Sequence, residues 1–215
     1  MYMTHLTLAK SPAAAAPMAN FISSAYAEHQ VLWQMAGRAQ DAKRDFLYRA
    51  ELNDAGLELM VVSKEPLSAV VEPWVARVKK YEHRFAAGQL LQFKLRASPT
   101  VDRARAGKRS QRQDLVMDMY RELEGRVPVQ RVAHKAAEQW LTVRGESSGF
   151  RLVESSASNY QRLSILEKGR PFTVPVLDME GVLEVTDPDA FLARHLTGFG
   201  KTRFAGMGLM MVKPV

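Results

Sequence analysis

Tyr26 and His29 stand three residues apart, a spacing that puts both on one face of a helix, with Trp33 a further turn along. A histidine titrates near neutral pH and can serve as general acid or base, and a neighbouring tyrosine can orient it or hydrogen-bond a phosphate oxygen. Such a pair suits the cleavage of RNA. There the ribose 2′-hydroxyl is already the nucleophile, so a protein need only move protons, align the groups in line and neutralise the phosphorane, and a metal is dispensable. A histidine on a helix face is more often a surface or packing residue, so from spacing alone the pair is a candidate.

A second candidate is Gly198 to Gly208, the densest glycine cluster in the chain. Gly200-Lys201-Thr202 has the look of a P-loop tail, but the motif needs a glycine five residues before its Gly-Lys pair, where His195 stands. It also needs strand, loop, then helix, whereas here a helix precedes and a strand follows. Two readings stay open. Small residues can let backbone N–H groups approach a phosphate, with Lys201 and Arg203 adding charge, or the glycines simply permit a tight connection at positive φ.

The third feature is charge. The 215 residues hold 30 Lys plus Arg against 23 Asp plus Glu, a formal +7, which points to a polyanionic partner. Residues 1–88 carry 10 basic and 9 acidic side chains, and residues 89–215 carry 20 and 14. Between Lys94 and Arg112, seven cations (Lys94, Arg96, Arg103, Arg105, Lys108, Arg109, Arg112) face one Asp102. A solvated basic loop is the plain reading. The functional one is a surface laid along a phosphate backbone, to which Arg162, Lys168 and Arg170 in a later hairpin would add. The alternation in Phe93-Lys-Leu-Arg96 would set Lys94 and Arg96 on the exposed face of a strand.

Composition excludes several classes. At 47% hydrophobic and 25% charged the chain is globular and not intrinsically disordered. With no cysteine it has no disulfide framework, thiol nucleophile or Cys-ligated metal, and five scattered histidines make no metal-ligand spacing. We expect no metal and no cofactor. Ser11 to Tyr26 is broken by prolines and lacks a basic n-region, so no targeting segment is expected, and no apolar run approaches the ~18 residues that span a bilayer. The expectation is a cytoplasmic protein without a membrane partner.

These features need elements to hold them. Tyr2 to Leu8 alternates as a strand. A Pro/Ala loop follows, then a helix capped by Ser23-Ser24 and stopped by Gly37. Asp45–Glu51 and Leu57–Ser63 flank the turn Asn53-Asp-Ala-Gly56 as a hairpin, and Glu72 to Phe85 reads as a weak helix. The order then repeats. Leu90–Ala97 is a strand, the basic segment a loop, Asp114–Glu124 and Val132–Arg144 are helices, and Phe150–Val153 and Gln161–Leu166 are strands. After a turn at Glu167–Arg170, Thr173–Val185 is a strand, Asp187 and Pro188 open a helix to Thr197, and Leu209–Val212 closes the chain. The spacing predicts an α+β protein of two tandem ferredoxin-like (RRM-like, βαββαβ) domains, residues 1–88 and 89–215. That fold hosts many functions.

Tyr2 opening a strand, Tyr26-Ala-Glu-His-Gln-Val-Leu-Trp33, Arg44-Asp-Phe-Leu-Tyr-Arg49, Phe93-Lys-Leu-Arg-Ala-Ser-Pro99, Glu180-Gly-Val-Leu-Glu-Val185 and the run Gly198 to Pro214, in this order, resemble the CasE (Cse3) family, crRNA-processing endoribonucleases of type I-E CRISPR systems. The resemblance implies a protein that binds the stem-loop of the CRISPR repeat in a basic groove. It cuts the precursor crRNA at the base of the stem without a metal, leaving a 2′,3′-cyclic phosphate and a 5′-hydroxyl. It then stays on the crRNA hairpin beside the other subunits of the Cascade complex. His29 matches the family's catalytic histidine and Tyr26 the tyrosine one turn before it. Arg203 falls where a lysine is usual in the glycine loop, and Lys201 where a proline is common. The competing expectations are a non-catalytic subunit that binds structured RNA or serves assembly, and, third, a DNA-binding protein.

Overall fold

The structure is a computed structural model. It describes residues 1–39, 42–105, 108–167 and 170–215, without the side chains of residues 105, 108–109, 166–167 and 170. Strand β1 (Tyr2–Ala9) leads through a 3₁₀ turn (Pro12–Ala14) into helices α1 (Ala15–Ile22) and α2 (Ala25–Ala36). Strands β2 (Phe46–Leu52), β3 (Gly56–Ser63) and β4 (Val75–Lys80) complete an antiparallel sheet of order β2-β3-β1-β4. The second half runs β5 (Leu90–Ala97), β6 (Thr100–Arg105), β7 (Lys108–Asp114), α3 (Leu115–Glu122), α4 (Val129–Ser147), β8 (Phe150–Glu167), β9 (Arg170–Val185), α5 (Pro188–Thr197), a 3₁₀ turn (Arg203–Ala205) and β10 (Met210–Pro214). Its sheet, β10-β5-β9-β8, repeats the order of the first. Two tandem ferredoxin-like units are the result.

Alternation builds both cores. Leu6 and Leu8 of β1, Tyr48 of β2 and Leu59 and Val61 of β3 pack with Phe21, Leu32 and Met35 of α1 and α2. Leu91, Phe93 and Leu95 of β5 and Leu177 and Met179 of β9 pack with Val132, Ala136 and Trp140 of α4. Each is the buried set of a period-2 strand meeting the apolar stripe of a helix.

Four expectations change. The Pro/Ala loop contains α1, because Ser11 caps the preceding turn and Pro17 falls in the first turn of the helix, where a missing N–H costs nothing. Glu72 to Phe85 is no helix. Val75–Lys80 is an exposed edge strand paired antiparallel with β1, and Leu67, Val70 and Trp74 before it cover the core where a second helix would lie. Arg77, Lys79 and Lys80 suit such an edge, since charge there discourages further strand pairing. The basic loop is a β-hairpin, β6 pairing with β7 from Thr100↔Asp114 to Arg105↔Lys108. The two short strands of the second half are one strand, β8, which irregularities between Leu152/Glu154 and Ser158/Gln161 keep in register with β9.

The halves are joined through Tyr81, His83 and Phe85, between β4 and β5. The Tyr81 hydroxyl lies 2.6 Å from His195 Nε2 on α5, His83 stacks on Phe85, and Phe85 packs edge-on to Phe191. Met3, Leu47 and Val62 of the first sheet close on Tyr81 and on Leu209 before β10. Burial, and secondarily His83, lowers the His195 pKa to about 4, so this ring is neutral in the folded protein near pH 7.

This generates a pH prediction. Between the unfolded value near 6.5 and the folded value near 4, the unfolded chain gains a proton that the folded one refuses, so stability falls as pH falls through that window. At pH 4.5 the His195 share is about 2–3 kcal/mol. Urea unfolding at pH 7 and 4.5 should show a loss that shrinks by about this amount in His195→Gln; an unchanged loss would remove His195 as its source.

Candidate functional site

Helix α2 begins where the Ser24 hydroxyl accepts the Ala27 N–H at 3.0 Å, and it ends at Gly37 with φ of 64°. Leu32, Met35 and Ala36 are its buried side, which leaves Tyr26 60% exposed. His29 is between the two. Its ring stacks on Phe46 of β2, centroids 5.9 Å apart, and tilts against Trp33 at 5.8 Å. Nδ1 is shut away from solvent without a hydrogen-bond partner, so Nε2 is the nitrogen that can meet a substrate. Burial first, and the Arg44 charge second, hold the His29 pKa below its usual 6.5. The ring is therefore neutral at neutral pH and ready to accept a proton.

The glycine-rich loop of the second half reaches this helix. The Tyr48 hydroxyl lies 2.9 Å from Glu28 Oε2 and 3.0 Å from the Phe204 carbonyl. Burial raises the Glu28 pKa against the pull of that hydrogen bond, and burial together with Glu28 raises that of Tyr48. One hydroxyl proton cannot serve both acceptors. When Glu28 is ionised Tyr48 can donate to it; when Glu28 is protonated it can donate to Tyr48, which is then free for the loop carbonyl. Gly198 has φ of 81°, and a Cβ there would sit 2.8 Å from Leu47. The loop lies this close because the residue is glycine.

Beside the loop runs a groove of about 680 Å³ between β7, α3 and the β8–β9 hairpin, with Arg112, Arg121, Arg162, Lys201, Thr202 and Phe204 on its walls. The structure thus brings Arg112, Arg162 and Lys201 together, with Arg112 and Lys201 sharing Asp102 at 3.4 and 3.2 Å. Arg103 turns to Asp118 and Glu122 of α3. Arg203 donates from Nη1 to the Thr197 carbonyl at 2.6 Å. Gly200 adopts φ of 80° next to Trp140. Arg105 ends β6, Lys108 and Arg109 begin β7 and Arg170 begins β9, but their side chains, and all of Lys168, lie outside the described residues.

Arg103, Gly200 and Arg203 do not line this groove, and Lys94 and Arg96 lie elsewhere. Lys94 pairs with Glu180 at 3.8 Å and lines a separate cavity over the second sheet with Gln92 and Lys213. Arg96 is not on a free face. It grips Asp178 with two bonds of 2.8 and 2.9 Å and donates to the Ala50 carbonyl on β2 at 3.2 Å, and Arg49 reaches the same Asp178 at 3.5 Å. Strand alternation put Arg96 opposite its own core but could not tell that the other half covers that face. Arg121 carries no motif, Arg44 and Tyr48 stand in the family-like run Arg44–Arg49 without a role that residue type alone assigns, and Glu28 reads as an ordinary early-helix acid. Among the described residues no three His, Asp or Glu side chains cluster as a metal site would need, and no helix is long and apolar enough to cross a membrane.

The family described as CRISPR associated protein matches residues 1–214. The CRISPR-associated endoribonuclease Cse3 of Thermus thermophilus is 30% identical over 234 residues, covering all of both chains. The chain belongs to the CasE (Cse3) family. Among solved structures, CRISPR endoribonuclease Cse3 bound to 19 nt RNA superposes with a TM-score of 0.76 at 28% identity, covering all of both chains. Thermus thermophilus Cse3 bound to an RNA representing a pre-cleavage complex gives 0.74 at 29%, over 99% of this chain and 98% of that one. Both halves of the chain thus fall within the matched fold.

The docking is testable without substrate. Tyr48→Phe removes the hydroxyl between Glu28 and Phe204 and strands a half-buried carboxyl. It should cost about 1–3 kcal/mol in urea unfolding. A neutral result would mean that the loop is held by packing alone.

Proposed function

We propose that the protein is a metal-independent endoribonuclease. It binds the stem-loop of the CRISPR repeat and cuts precursor crRNA at the base of the stem, leaving a 2′,3′-cyclic phosphate and a 5′-hydroxyl. The observation that carries the reading is His29, half-buried and neutral, with one ring nitrogen closed off, on the helix where the cationic loop and groove of the other half converge. His29 Nε2 takes the proton of the 2′-hydroxyl as it attacks the adjacent phosphorus, the P–O5′ bond breaks, and the departing 5′-oxygen takes a proton from water to become the 5′-hydroxyl. Tyr26 donates to a non-bridging phosphate oxygen. Arg203 and the Gly200 and Lys201 backbone supply positive potential to the phosphorane, and Arg112, Arg121, Arg162 and Lys201 hold the stem by its phosphates.

The division of labour follows the fold, with residues 1–88 carrying the proton transfer and residues 89–215 most of the grip. The relatives named with bound RNA support the substrate class. Family membership extends the reading to a cytoplasmic protein that keeps its product hairpin and joins the other subunits of the type I-E Cascade complex.

In a single-turnover reaction with repeat-hairpin RNA in EDTA, the wild-type protein should cut at one position. His29→Ala should slow this by ~10²–10⁴-fold while binding the hairpin at near wild-type affinity. Binding without product in the wild type would make it a non-catalytic RNA-binding subunit. The pH profile of kcat/KM fixes the role of His29. A base works in the neutral form, so with the pKa held below 6.5 the rate should be level above neutral pH and drop to half its plateau only below pH 6.5. A rate that falls as pH rises through 7 would instead make His29 the acid.

A further inference from the structure

The turn Arg203–Ala205 separates two cationic basins. Lys201, Thr202 and Phe204 line the large groove, whereas Arg203, between them in sequence, lines a second cavity of about 320 Å³ on the other side. That cavity lies where the halves meet, with Arg44, Phe46 and Lys64 from the first and Thr197 and Arg203 from the second. Phe46 is the ring on which His29 stacks, so the cavity adjoins the proposed catalytic group.

Its charge is one-sided. The carboxylate on its wall, Asp45, is already held by Arg38, whose Nε lies 3.2 Å from Oδ2. Among the described residues Arg44, Lys64 and Arg203 make no ion pair with a carboxylate. The Thr197 carbonyl takes one N–H of Arg203 and leaves its other donors unassigned. Burial, then the charge of Arg203, depresses the pKa of Arg44. Two guanidinium groups kept close and partly out of water are unfavourable until an anion comes between them. Guanidinium forks match phosphate oxygens, and a lysine adds a point charge.

We propose that this cavity seats a backbone phosphate of the single-stranded RNA beyond the scissile bond, with Arg44 and Lys64 as its cationic contacts and Arg203 shared between this phosphate and the scissile one. A strand held by its stem in the groove crosses the turn, passes His29 and enters the cavity, so the scissile phosphate is held from both sides and kept in line. The inference rests on the reading of His29 as the cleavage site. It explains why the two products part differently: after the cut the hairpin keeps every groove contact, whereas the leaving strand keeps only this one.

The test compares two RNAs: a repeat hairpin ending at the cut, and the same hairpin extended by three nucleotides with a 2′-deoxy residue before the cut so that it stays whole. Wild-type protein should bind the extended RNA more tightly and with a steeper salt dependence. Each single-strand phosphate contact contributes roughly 0.7 to the slope of log K against log salt. Lys64→Gln should lower the slope for the extended RNA, and Arg44→Gln with Lys64→Gln should lower it further, to a total loss of about 0.7 for the one phosphate, both leaving the product-length RNA unchanged. Lys64 is exposed, so the single variant keeps the test valid even if loss of Arg44 disturbs folding. Equal affinities of wild type and Lys64→Gln for the extended RNA, or equal weakening for both RNAs, would overturn the proposal. Cutting of the all-ribose extended RNA by wild-type protein is read separately. If it fails, the catalytic assignment falls, while the affinity difference still decides the cavity.

Discussion

The docking of the second half's glycine-rich loop on helix α2 of the first half is the constraint on which the site depends. Neither half holds the proposed chemistry alone. His29 and Tyr26 stand on α2, and the cations and backbone donors that a phosphorane needs stand on a loop more than 160 residues away in sequence. Tyr48, buried under α2, joins Glu28 to the Phe204 carbonyl, and Gly198 admits Leu47 to a distance that a side chain would forbid. A buried hydroxyl that must find partners and a glycine that must have none thus fix the loop together. Geometry of this kind turns positioned groups into catalysts, since small displacements of the reacting atoms cost rate steeply.

A second layer of ties keeps the halves from shifting. Arg96 and Asp178 are both in the second half, but the Arg96 guanidinium also reaches the Ala50 carbonyl, and Arg49 reaches Asp178. On the other side Tyr81 and His195 meet in an aromatic cluster with His83 and Phe85. Leaving one partner of such a part-buried set unpaired is costly, so each cross-link resists independent motion. The basic residues therefore divide into two populations. Arg96, Arg49 and Arg38 are spent on carboxylates and carbonyls within the fold, whereas Arg44, Arg121, Arg162 and Arg203 line cavities where, among the described residues, no carboxylate holds them. Net charge counts both alike, but only the second population is arranged for a polyanion.

Much of this architecture is legible in the residues. The alternation in β1, β5 and β9, the Asn53 turn, the Ser24 and Asp187 caps and the spacing of Tyr26, His29 and Trp33 are local patterns, and local patterns determine local structure. The failures are local patterns that tertiary context overrides. Glu72 to Phe85 has apolar residues at a weak helical period, yet β1 had a free edge and Val75–Lys80 filled it. The Lys94–Arg112 segment looks like a loop because its charges mask a hairpin whose strands need little apolar content.

The sequence by itself determined most of the elements, the doubled ferredoxin order, the polyanionic character and the identity of the candidate histidine, because each rests on residue type and on spacing within about one turn or one strand. The tertiary structure decided which charges are available and which are consumed, why His29 is neutral, and where Arg44, Lys64 and Arg203 gather. Those outcomes depend on burial and on contacts between residues far apart in the chain, and desolvation and Coulomb energy follow distance in space and not distance in sequence.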